Sequence, residues 1–457
     1  MSEKIVSVLD FGAVPGSDEF QDTCIQKAID ECFLAGGGEV QIPAGIFRVR
    51  TIRLRSNVTL RLCENAHLEA SRNPEDYFML KYDTVEPVAS KDLDESAWER
   101  VGGAANSFHI PGSRWNNGVI RCLWAKNVAI IGEPGSVIDG RDCFDEIGEE
   151  NYRGPHAISI LHCENVTLRG YTVVNSANWA QSIKDTKHIL VENVENRAGH
   201  DGVHITSCED VTIRGSRFYT GDDCIAGYNN KDILVEDCQI NTACSAFRFS
   251  GTNVLVQRCN IFAPAKYLFR GSLTVEEKRS GINANDAENT THRYNMLSLF
   301  TYFAEPATII ENPGTNIVIR DCTVDGADRF LHYNYSGNEI WQSGRPMLDI
   351  AFENIRAVNI SMPLTAYGDP DERVKLWLRN VDASFREGAE AEAFMKAANF
   401  EIIAMEDVTI RGLSGKPLMK CWGDPEKGNA VFKNVCCDIP REMWMQYTDE
   451  KFICKPI

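Results

Sequence analysis

The clearest pattern in the sequence is a short phrase in which apolar, mostly β-branched residues alternate with polar ones. It recurs as CENVTLRGYTV, TKHILVENVEN, CEDVTIRGSRF, NKDILVEDCQI and GTNVLVQRCNI, with weaker copies further along. The first apolar residue of successive copies falls at Val166, Ile189, Val211, Ile233 and Val254, in steps of 23, 22, 22 and 21 residues. A period near 22 with this alternation predicts a stacked β coil.

Each copy of the phrase is too small to bury its own apolar face, so stacked copies must share one long core. A leucine-rich repeat has a similar period, but its L-x-x-L-x-L scaffold is absent. The pattern therefore predicts an all-β chain that forms a right-handed parallel β-helix. We expect residues 1–457 to form a single domain of this kind.

Four segments depart from the repeat. About residues 17–37, apolar residues at helical spacing lie between an acidic start and a glycine-rich stop, which predicts a helix that caps the first coil. Residues 72–118 and 271–313 are polar, and we predict loop insertions there. Residues 440–457 are predicted to form a cap at the carboxyl end.

Composition narrows the possible partners. The net charge of −18 argues against nucleic acid, which requires clustered Lys and Arg. No apolar run has the roughly 18 residues that a membrane span needs, so no membrane partner is expected. The start lacks a secretory signal, which predicts a cytoplasmic protein unless a signal has been removed.

The 16 cysteines often occupy one recurring position of the phrase, as in VEDCQI, VQRCNI and IRDCTV. Cysteine at such a position behaves as a small buried apolar residue, and we predict reduced thiols in the core. No C-x-x-C pair occurs, so a zinc site is not expected, and no other metal or cofactor is predicted.

Three aspartates are the candidate catalytic residues. Asp222 and Asp223 are adjacent in TGDDCIA, and Asp201 in GHDG precedes Asp222 by 21 residues, which is one coil. We therefore expect the three carboxyls to lie on one face. Glycoside hydrolysis uses such a group, since one carboxyl donates a proton and another activates water. Carboxylate clusters also bind Ca²⁺, and a GDD triplet alone is often only a turn.

With these motifs the chain resembles the polygalacturonase-type glycoside hydrolases of family 28. The resemblance runs through DFGAVPGSDEFQDTCIQKAIDEC, NVAIIGEPGSVIDGRD, VVNSANWAQSI and TGDDCIA, over roughly residues 5–270. It implies a pectin-lyase-like solenoid fold and an inverting mechanism on an oligosaccharide. It also implies that Asp222 is the general acid, and that Asp201 and Asp223 position the attacking water.

The chain departs from the family where substrate would be held. The family's Gly-His-Gly histidine is missing, and Ser245 falls nearest its place. Its Arg-Ile-Lys motif is replaced by AKYLFRGS, where Arg270 would stand in for the lysine, and Arg248 on the preceding coil would compensate. We therefore expect an altered uronide or a neutral deoxysugar rather than plain polygalacturonate, with exo action favoured by the insertions.

Further substrate-binding candidates lie near the same coils. His200 and His204 flank Asp201, and a strand through these residues would place His204 on the face opposite Asp201. Trp179 is expected mainly in the core. The remaining candidates are residues of polar loops, namely Lys266, Tyr267 and Trp341.

Two other functions remain open at this point. A uronide lyase or epimerase on the same fold would need a strong base near Asp222, which the neighbouring sequence does not supply. A catalytically inactive carbohydrate-binding β-helix would explain the missing histidine but not the presence of all three aspartates. Oligomeric state is not predicted.

Overall fold

Coils of short parallel strands account for most of the chain, as the repeat predicts. The computed structural model describes residues 4–77, 117–280, 294–304, 311–335, 345–423 and 427–448. Strands of successive coils pair in parallel register, and the architecture is a right-handed parallel β-helix. By their internal contacts the residues fall into two units, Met1–Asp222 with Tyr267–Arg293, and Asp223–Lys266 with Tyr294–Ile457.

The first unit has three parallel sheets. Sheet A contains β1 (Ile5–Ser7), β2 (Gly38–Ile42), β5 (Val58–Leu62), β8 (Lys126–Gly132), β12 (Glu164–Arg169), β15 (Lys187–Glu192) and β18 (Glu209–Arg214). Sheet B contains β3 (Gly45–Val49), β6 (Ala66–Ala70), β9 (Val137–Asp139), β13 (Thr172–Val174), β16 (Glu195–Ala198) and β19 (Arg217–Thr220). Sheet C contains β4 (Ile52–Leu54), β7 (Gly118–Leu123), β11 (His156–Leu161), β14 (Gln181–Lys184) and β17 (Val203–Thr206). Strand β10 (Phe144–Glu149) lies outside the three sheets.

The second unit continues the same strand pattern with longer strands that bend from one sheet into the next. Its strands are β20 (Ile225–Glu236), β21 (Gln239–Thr242), β22 (Ser245–Gln257), β23 (Asn260–Phe262), β24 (Met296–Tyr302), β25 (Thr315–Arg320), β26 (Thr323–Asp325), β27 (Ala327–Asn334), β28 (Asp349–Ile360), β29 (Leu364–Tyr367), β30 (Val374–Phe385), β31 (Met395–Ala398), β32 (Phe400–Arg411), β33 (Met419–Trp422), β34 (Asn429–Cys437) and β35 (Met445–Thr448).

The core consists of inward-facing side chains that repeat once per coil. In sheet A, Leu60, Ile130, Leu168, Val191 and Ile213 are register partners on successive strands, and each is at most 1% exposed. The alternation of apolar and polar residues that the sequence shows therefore corresponds to alternation between this core and the outer surface.

Asparagines punctuate the coils at the start of sheet A strands. Asn57, Asn127 and Asn165 all have positive φ, a conformation that Asn adopts more readily than most residues. The side-chain amide of Asn165 donates to Asn127, which donates to Asn57, at 2.9 and 2.8 Å. The recurring Asn and Asp of the phrase thus form a ladder that aligns the turns.

The predicted capping helix is present as α1 (Asp22–Leu34). Its buried face contains Ile25, Ala28, Ile29 and Cys32, and it packs on β2 and β4. An ion pair between Arg50 and Asp22 and another between Arg55 and Asp30 attach the helix to the coil.

The segment 271–313 was predicted as a loop insertion, and this prediction was wrong in part. It contains a short helix, α2 (Val275–Ser280), and strand β24, which pairs in parallel with β22 and β27. The polar residues before β24 concealed the alternating residues of a regular coil. Within 72–118 the described residues are 72–77, with a turn at Pro74–Asp76, and 117–118, where β7 begins. Residues 440–448 include β35, which pairs with β33.

The cysteines of the described residues are free thiols, which confirms the prediction for this part of the chain. Ten of them are buried. Burial raises the pKa of the Cys208 thiol to about 12 and that of the Cys421 thiol to about 12, so these side chains are unreactive core residues. Among the described helices, none is long and apolar enough to cross a membrane.

Candidate active site

The candidate residues of the first unit lie on the turns that lead from a sheet B strand to the next sheet C strand, here called B–C turns. Three B–C turns comprise residues 140–155, 175–180 and 199–202, and residues 221–222 begin a fourth after β19. Backbone hydrogen bonds stack these turns, because Ala180 N–H donates to the Asp201 carbonyl and Gly221 N–H donates to the Ala198 carbonyl, both at 2.9 Å. Asp201 and Asp222 therefore come from neighbouring turns of one rigid wall.

Asp201 is held by an imidazole that rests on an indole. Its carboxylate Oδ2 lies 2.9 Å from Nδ1 of His204, and both side chains are buried. The His204 ring stacks on Trp179, with centroids 3.6 Å apart and an angle of 5° between the planes. This stacking fixes the plane of the imidazole and directs Nδ1 at the carboxylate.

The prediction that His204 lies on the face opposite Asp201 was wrong. Residues 199–202 form the turn, and β17 begins only at Val203. Strand alternation therefore does not apply between positions 201 and 204, and the bend brings the two side chains together. Trp179 is buried as expected, but it packs on His204 rather than only in the apolar core.

Asp222 is paired with an arginine. Nη2 of Arg153 donates to Oδ2 of Asp222 at 3.0 Å, and the guanidinium is 4% exposed. Arg153 also donates from Nε to Glu150 at 3.1 Å and from Nη1 to the side-chain carbonyl of Asn178 at 3.5 Å. Arg153 ends the hairpin that β10 begins, because it bridges in antiparallel fashion to Phe144 and Glu149.

Asn178 connects the surroundings of the two aspartates. Its side-chain carbonyl accepts from the Trp179 N–H at 3.0 Å, and its amide donates to Glu149 at 2.9 Å. Glu149 is buried, and burial raises the pKa of its carboxyl to about 7, against the opposing charge of Arg153 and the hydrogen bond from Asn178.

Lys184 is 1% exposed, and burial lowers the pKa of its amine to about 7.

The raised pKa of Glu149 predicts a pH dependence of stability. The folded protein binds more protons than the unfolded chain between the ordinary carboxyl pKa and about 7, so the free energy of unfolding should fall as pH rises through this window. Glu149→Gln removes this loss. We expect its free energy of unfolding, relative to the unmodified protein, to rise by up to about 1.4 kcal/mol per pH unit between pH 5 and 7.

Urea unfolding at several pH values measures this slope. Asn165→Ser is the control, because Asn165 lies on the exposed surface of sheet A and carries no titrating group, so its pH curve should run parallel to that of the unmodified protein. Parallel curves for Glu149→Gln as well would contradict the assignment.

A narrow recess lies beside these turns and is lined by charged and polar residues. His200 is 1% exposed, and burial, followed by the charges of Arg153 and Arg270, holds its pKa well below the ordinary value. Nδ1 of His200 and Nε of Arg270 are buried and have no hydrogen-bond partner among the described residues. The other side chains that line the recess are Asp142, Cys143, Phe144, Tyr152, Ala177 and Lys278.

Arg270 was predicted to contact substrate, and the structure places it in an ion pair. Its Nη1 lies 3.1 Å from Oδ2 of Asp142, and both side chains are buried. Burial raises the pKa of Asp142, and the Arg270 charge opposes this shift. The aliphatic part of Arg270 passes over Gly199, where an added Cβ would lie 2.2 Å from the arginine side chain. Because Gly199 has no side chain, Arg270 can lie directly against the 199–202 turn and still reach Asp142.

In the second unit, Asp223 has its own set of partners. It is 1% exposed, and its Oδ1 accepts from the backbone N–H of Ser245 at 2.9 Å. Arg248 donates to its Oδ2 at 3.5 Å, with the guanidinium lying 3.9 Å from the ring centroid of Phe303. The Ser245 hydroxyl donates to Thr301 at 3.1 Å. Ser245 and Arg248 thus contact the carboxylate of the same predicted catalytic residue.

The other candidates have less defined positions. Lys266 is exposed, and its backbone N–H donates to Asn241 at 2.7 Å. Tyr267 is partly exposed and belongs to the first unit. Trp341 lies outside the described residues.

Sequence reasoning missed Glu149, Arg153, Asn178 and Lys184. One signal was available for the first two. Val128 pairs with Val166, a step of 38 residues, where steps of 23 and 22 follow at Ile189 and Val211. An insertion between Val128 and Val166 could therefore be detected from the sequence, but the positions of its side chains could not be predicted. Asn178 lies in the VVNSANWAQSI motif, which pointed to the family resemblance but not to the contacts of its side chain, and Lys184 carried no signal.

The arrangement combines carboxyls with proton-bearing neighbours. The His204 imidazole contacts Asp201 and the Arg153 guanidinium contacts Asp222. A third carboxyl, that of Glu149, is connected to Arg153 through Asn178 and has a pKa of about 7. Such a set can hold and move protons at a reacting oxygen, as acid–base chemistry requires.

The chain is similar in sequence to known proteins over part of its length. The family described as Glycosyl hydrolases family 28 matches residues 105–245. An exo-poly-alpha-D-galacturonosidase from Dickeya chrysanthemi is 28% identical over 151 residues, which is 32% of this chain and 22% of that protein. A probable polygalacturonase from Vitis vinifera is 24% identical over 232 residues, 48% of this chain and 43% of that protein. The chain thus aligns with less than half the length of either relative.

The fold has solved counterparts. The family 28 exopolygalacturonase of Yersinia enterocolitica superposes with a TM-score of 0.61 at 16% sequence identity, over 95% of this chain and 78% of that one. At this identity the superposition supports the fold alone. Together with the aspartate motifs, these comparisons show that residues 105–245 are similar to glycoside hydrolase family 28 and that the chain shares the parallel β-helix fold of a family 28 exopolygalacturonase.

Proposed function

We propose that the protein is an inverting glycoside hydrolase that releases an acidic sugar from the end of a pectic oligosaccharide. The observation that carries the proposal is the pair of stacked turns in the first unit. They present Asp201 and Asp222 with separate buried partners, His204 and Arg153. Relatives of the chain are named as an exo-poly-alpha-D-galacturonosidase and a probable polygalacturonase, which agrees with this chemistry.

In the proposed mechanism, Asp222 donates a proton to the oxygen of the leaving sugar. Asp201 accepts a proton from the attacking water, and the hydrogen bond from His204 holds its other oxygen in place. Asp223 is the second base by family resemblance. Inversion requires about 6.5–9.5 Å between acid and base, to leave room for the water.

Cationic side chains favour an acidic substrate over a neutral one. Arg153, Arg270 and Lys278 gather at the B–C turns of the first unit, although the whole chain carries a net charge of −18. A neutral deoxysugar, which the sequence left open, would use none of these charges.

Exo action is supported by contacts between two insertions of the first unit. Lys278 of α2 lies 4.1 Å from the ring centroid of Tyr152, and Arg279 pairs with Glu146. The hairpin and α2 thus form one wall beside the turns, which would restrict access to a chain end.

Product analysis tests the proposal. Tetragalacturonate is digested while the anomeric protons are followed by NMR, and we expect galacturonic acid, released as the β anomer, together with trigalacturonate as the first products, without digalacturonate. Release of the α anomer, or of larger fragments from long chains, would count against inversion or exo action respectively.

A uronide lyase is the second candidate, and one observation favours it. The Lys184 amine lies 5.6 Å from the ring centroid of Trp179, which stacks on His204, and burial lowers the pKa of this amine to about 7. Elimination would leave an unsaturated sugar that absorbs in the ultraviolet. Absence of this absorbance during cleavage would exclude the lyase.

A further inference from the structure

The contact between Arg153 and Asp222 is unexpected for an acid catalyst. Asp222 must carry a proton when it protonates the leaving oxygen. Arg153 is always charged, offers only donors, and occupies Oδ2 of Asp222 at 3.0 Å. In the free protein Asp222 is therefore the acceptor of a charged hydrogen bond, and this bond must be released before the carboxyl can act as an acid.

We propose that Arg153 exchanges Asp222 for the carboxylate of the terminal sugar, so that binding of an acidic sugar itself prepares Asp222 for proton transfer. Arg153 is then the residue that determines specificity for acidic over neutral sugars. The inference rests on the proposed function and names the residue that selects its substrate.

The proton balance of this exchange is simple. When the guanidinium moves to the sugar carboxylate, Asp222 takes one proton from solvent and gives it to the glycosidic oxygen as the bond from that oxygen to the anomeric carbon breaks. The water that attacks this carbon loses one proton to Asp201, which returns it to solvent. No further reactant is needed.

The surroundings of Arg153 favour this exchange over a fixed ion pair. Of its other partners, Asn178 is uncharged and Glu150 is half exposed, so solvent weakens that pair. Glu149 lies close by and titrates near neutral pH. Glu149 and Asp222 are thus the buried carboxyls that act on Arg153, and Asp222 is the one that accepts its hydrogen bond and that a sugar carboxylate would need to displace.

The backbone of Arg153 is fixed while its side chain is long. An added Cβ at Gly148 would lie 2.0 Å from the carbonyl oxygen of Arg153, so the hairpin closes tightly on this residue. The exchange would therefore require only rotation of the Arg153 side chain. The guanidinium could then bind the sugar carboxylate with two parallel hydrogen bonds.

Direct binding measurements test the proposal without turnover. Calorimetry with galacturonic acid and with galactose is done on the unmodified protein, Arg153→Gln, Arg153→Lys and Asp222→Asn. We expect Arg153→Gln to weaken galacturonic acid binding about 10- to 100-fold and to leave galactose unchanged, with Arg153→Lys in between. Arg169→Gln is the matched control, since Arg169 pairs with Glu192 on sheet A.

Asp222→Asn is the decisive variant, because it removes the competitor for Arg153. The exchange predicts that this variant binds galacturonic acid more tightly than the unmodified protein, while a merely structural ion pair predicts equal or weaker binding. If Arg153→Gln does not fold, the results for Arg153→Lys and Asp222→Asn still distinguish the exchange from a structural ion pair. Unchanged affinity in Arg153→Lys, or equal or weaker binding in Asp222→Asn, would overturn the proposal.

Kinetics separate this inference from the proposed function. If the unmodified protein cleaves nitrophenyl galacturonide, Arg153→Gln should lower kcat/KM for it far more than for nitrophenyl galactoside. Equal losses on both would overturn the inference and leave the hydrolase assignment intact. No cleavage of any pectic substrate would refute the proposed function, and the binding contrast would still decide the role of Arg153.

Discussion

Asp222→Asn should lower kcat on a pectic oligosaccharide by about 10³-fold, because general acid catalysis contributes roughly 10²–10⁴-fold and the amide has no proton to donate to the leaving oxygen. The effect should be smaller on a nitrophenyl glycoside, whose leaving group needs little protonation. Initial rates on the two substrates measure the difference.

Asp210→Asn is a suitable control for this variant. Asp210 pairs with His188 on the exposed face of the same unit, and its loss should leave kcat unchanged. If Asp222→Asn kept more than a tenth of the normal rate on the oligosaccharide, Asp222 would not be the general acid.

The second large effect concerns stability. Arg270→Met should lower the free energy of unfolding by about 3–5 kcal/mol, because it leaves Asp142 buried without its charged partner. Part of the loss should be recovered in the double variant with Asp142→Asn, whose side chain needs no counter-charge. Urea unfolding of the two single variants and the double variant measures this coupling.

An exposed pair provides the comparison. Arg169→Met breaks the pair with Glu192, where the arginine side chain is 44% exposed, and it should change the free energy of unfolding by about 1 kcal/mol or less. A similarly small change for Arg270→Met would show that the buried pair does not stabilise the fold.

The fold was predictable because its rule is local and repeated. Each copy of the phrase alternates apolar and polar residues, and register pairs such as Val166 with Ile189 follow the predicted steps. Where the repeat was hidden, prediction failed. Strand β24 lies in a segment dominated by polar residues, and its pairing with β22 was recognised only in the structure.

Only the site residues whose positions follow from the repeat period could be predicted. Asp201 and Asp222 were expected on neighbouring coils, and their turns are stacked by backbone hydrogen bonds. The partners of these aspartates were not predicted. Arg153 belongs to an insertion with no period, and His204 was assigned to the wrong face because the end of a turn cannot be read from strand alternation.

By itself, the sequence determined the β-helix, the capping helix, the reduced core cysteines and the order of the aspartates along the coils, since a fixed period converts separation in sequence into stacking in space. Only the tertiary structure decided which charges meet those aspartates, because a hairpin of arbitrary length can reach any neighbouring turn. It also decided that Glu149 and Lys184 titrate near neutral pH, because this depends on burial among groups that are distant in sequence.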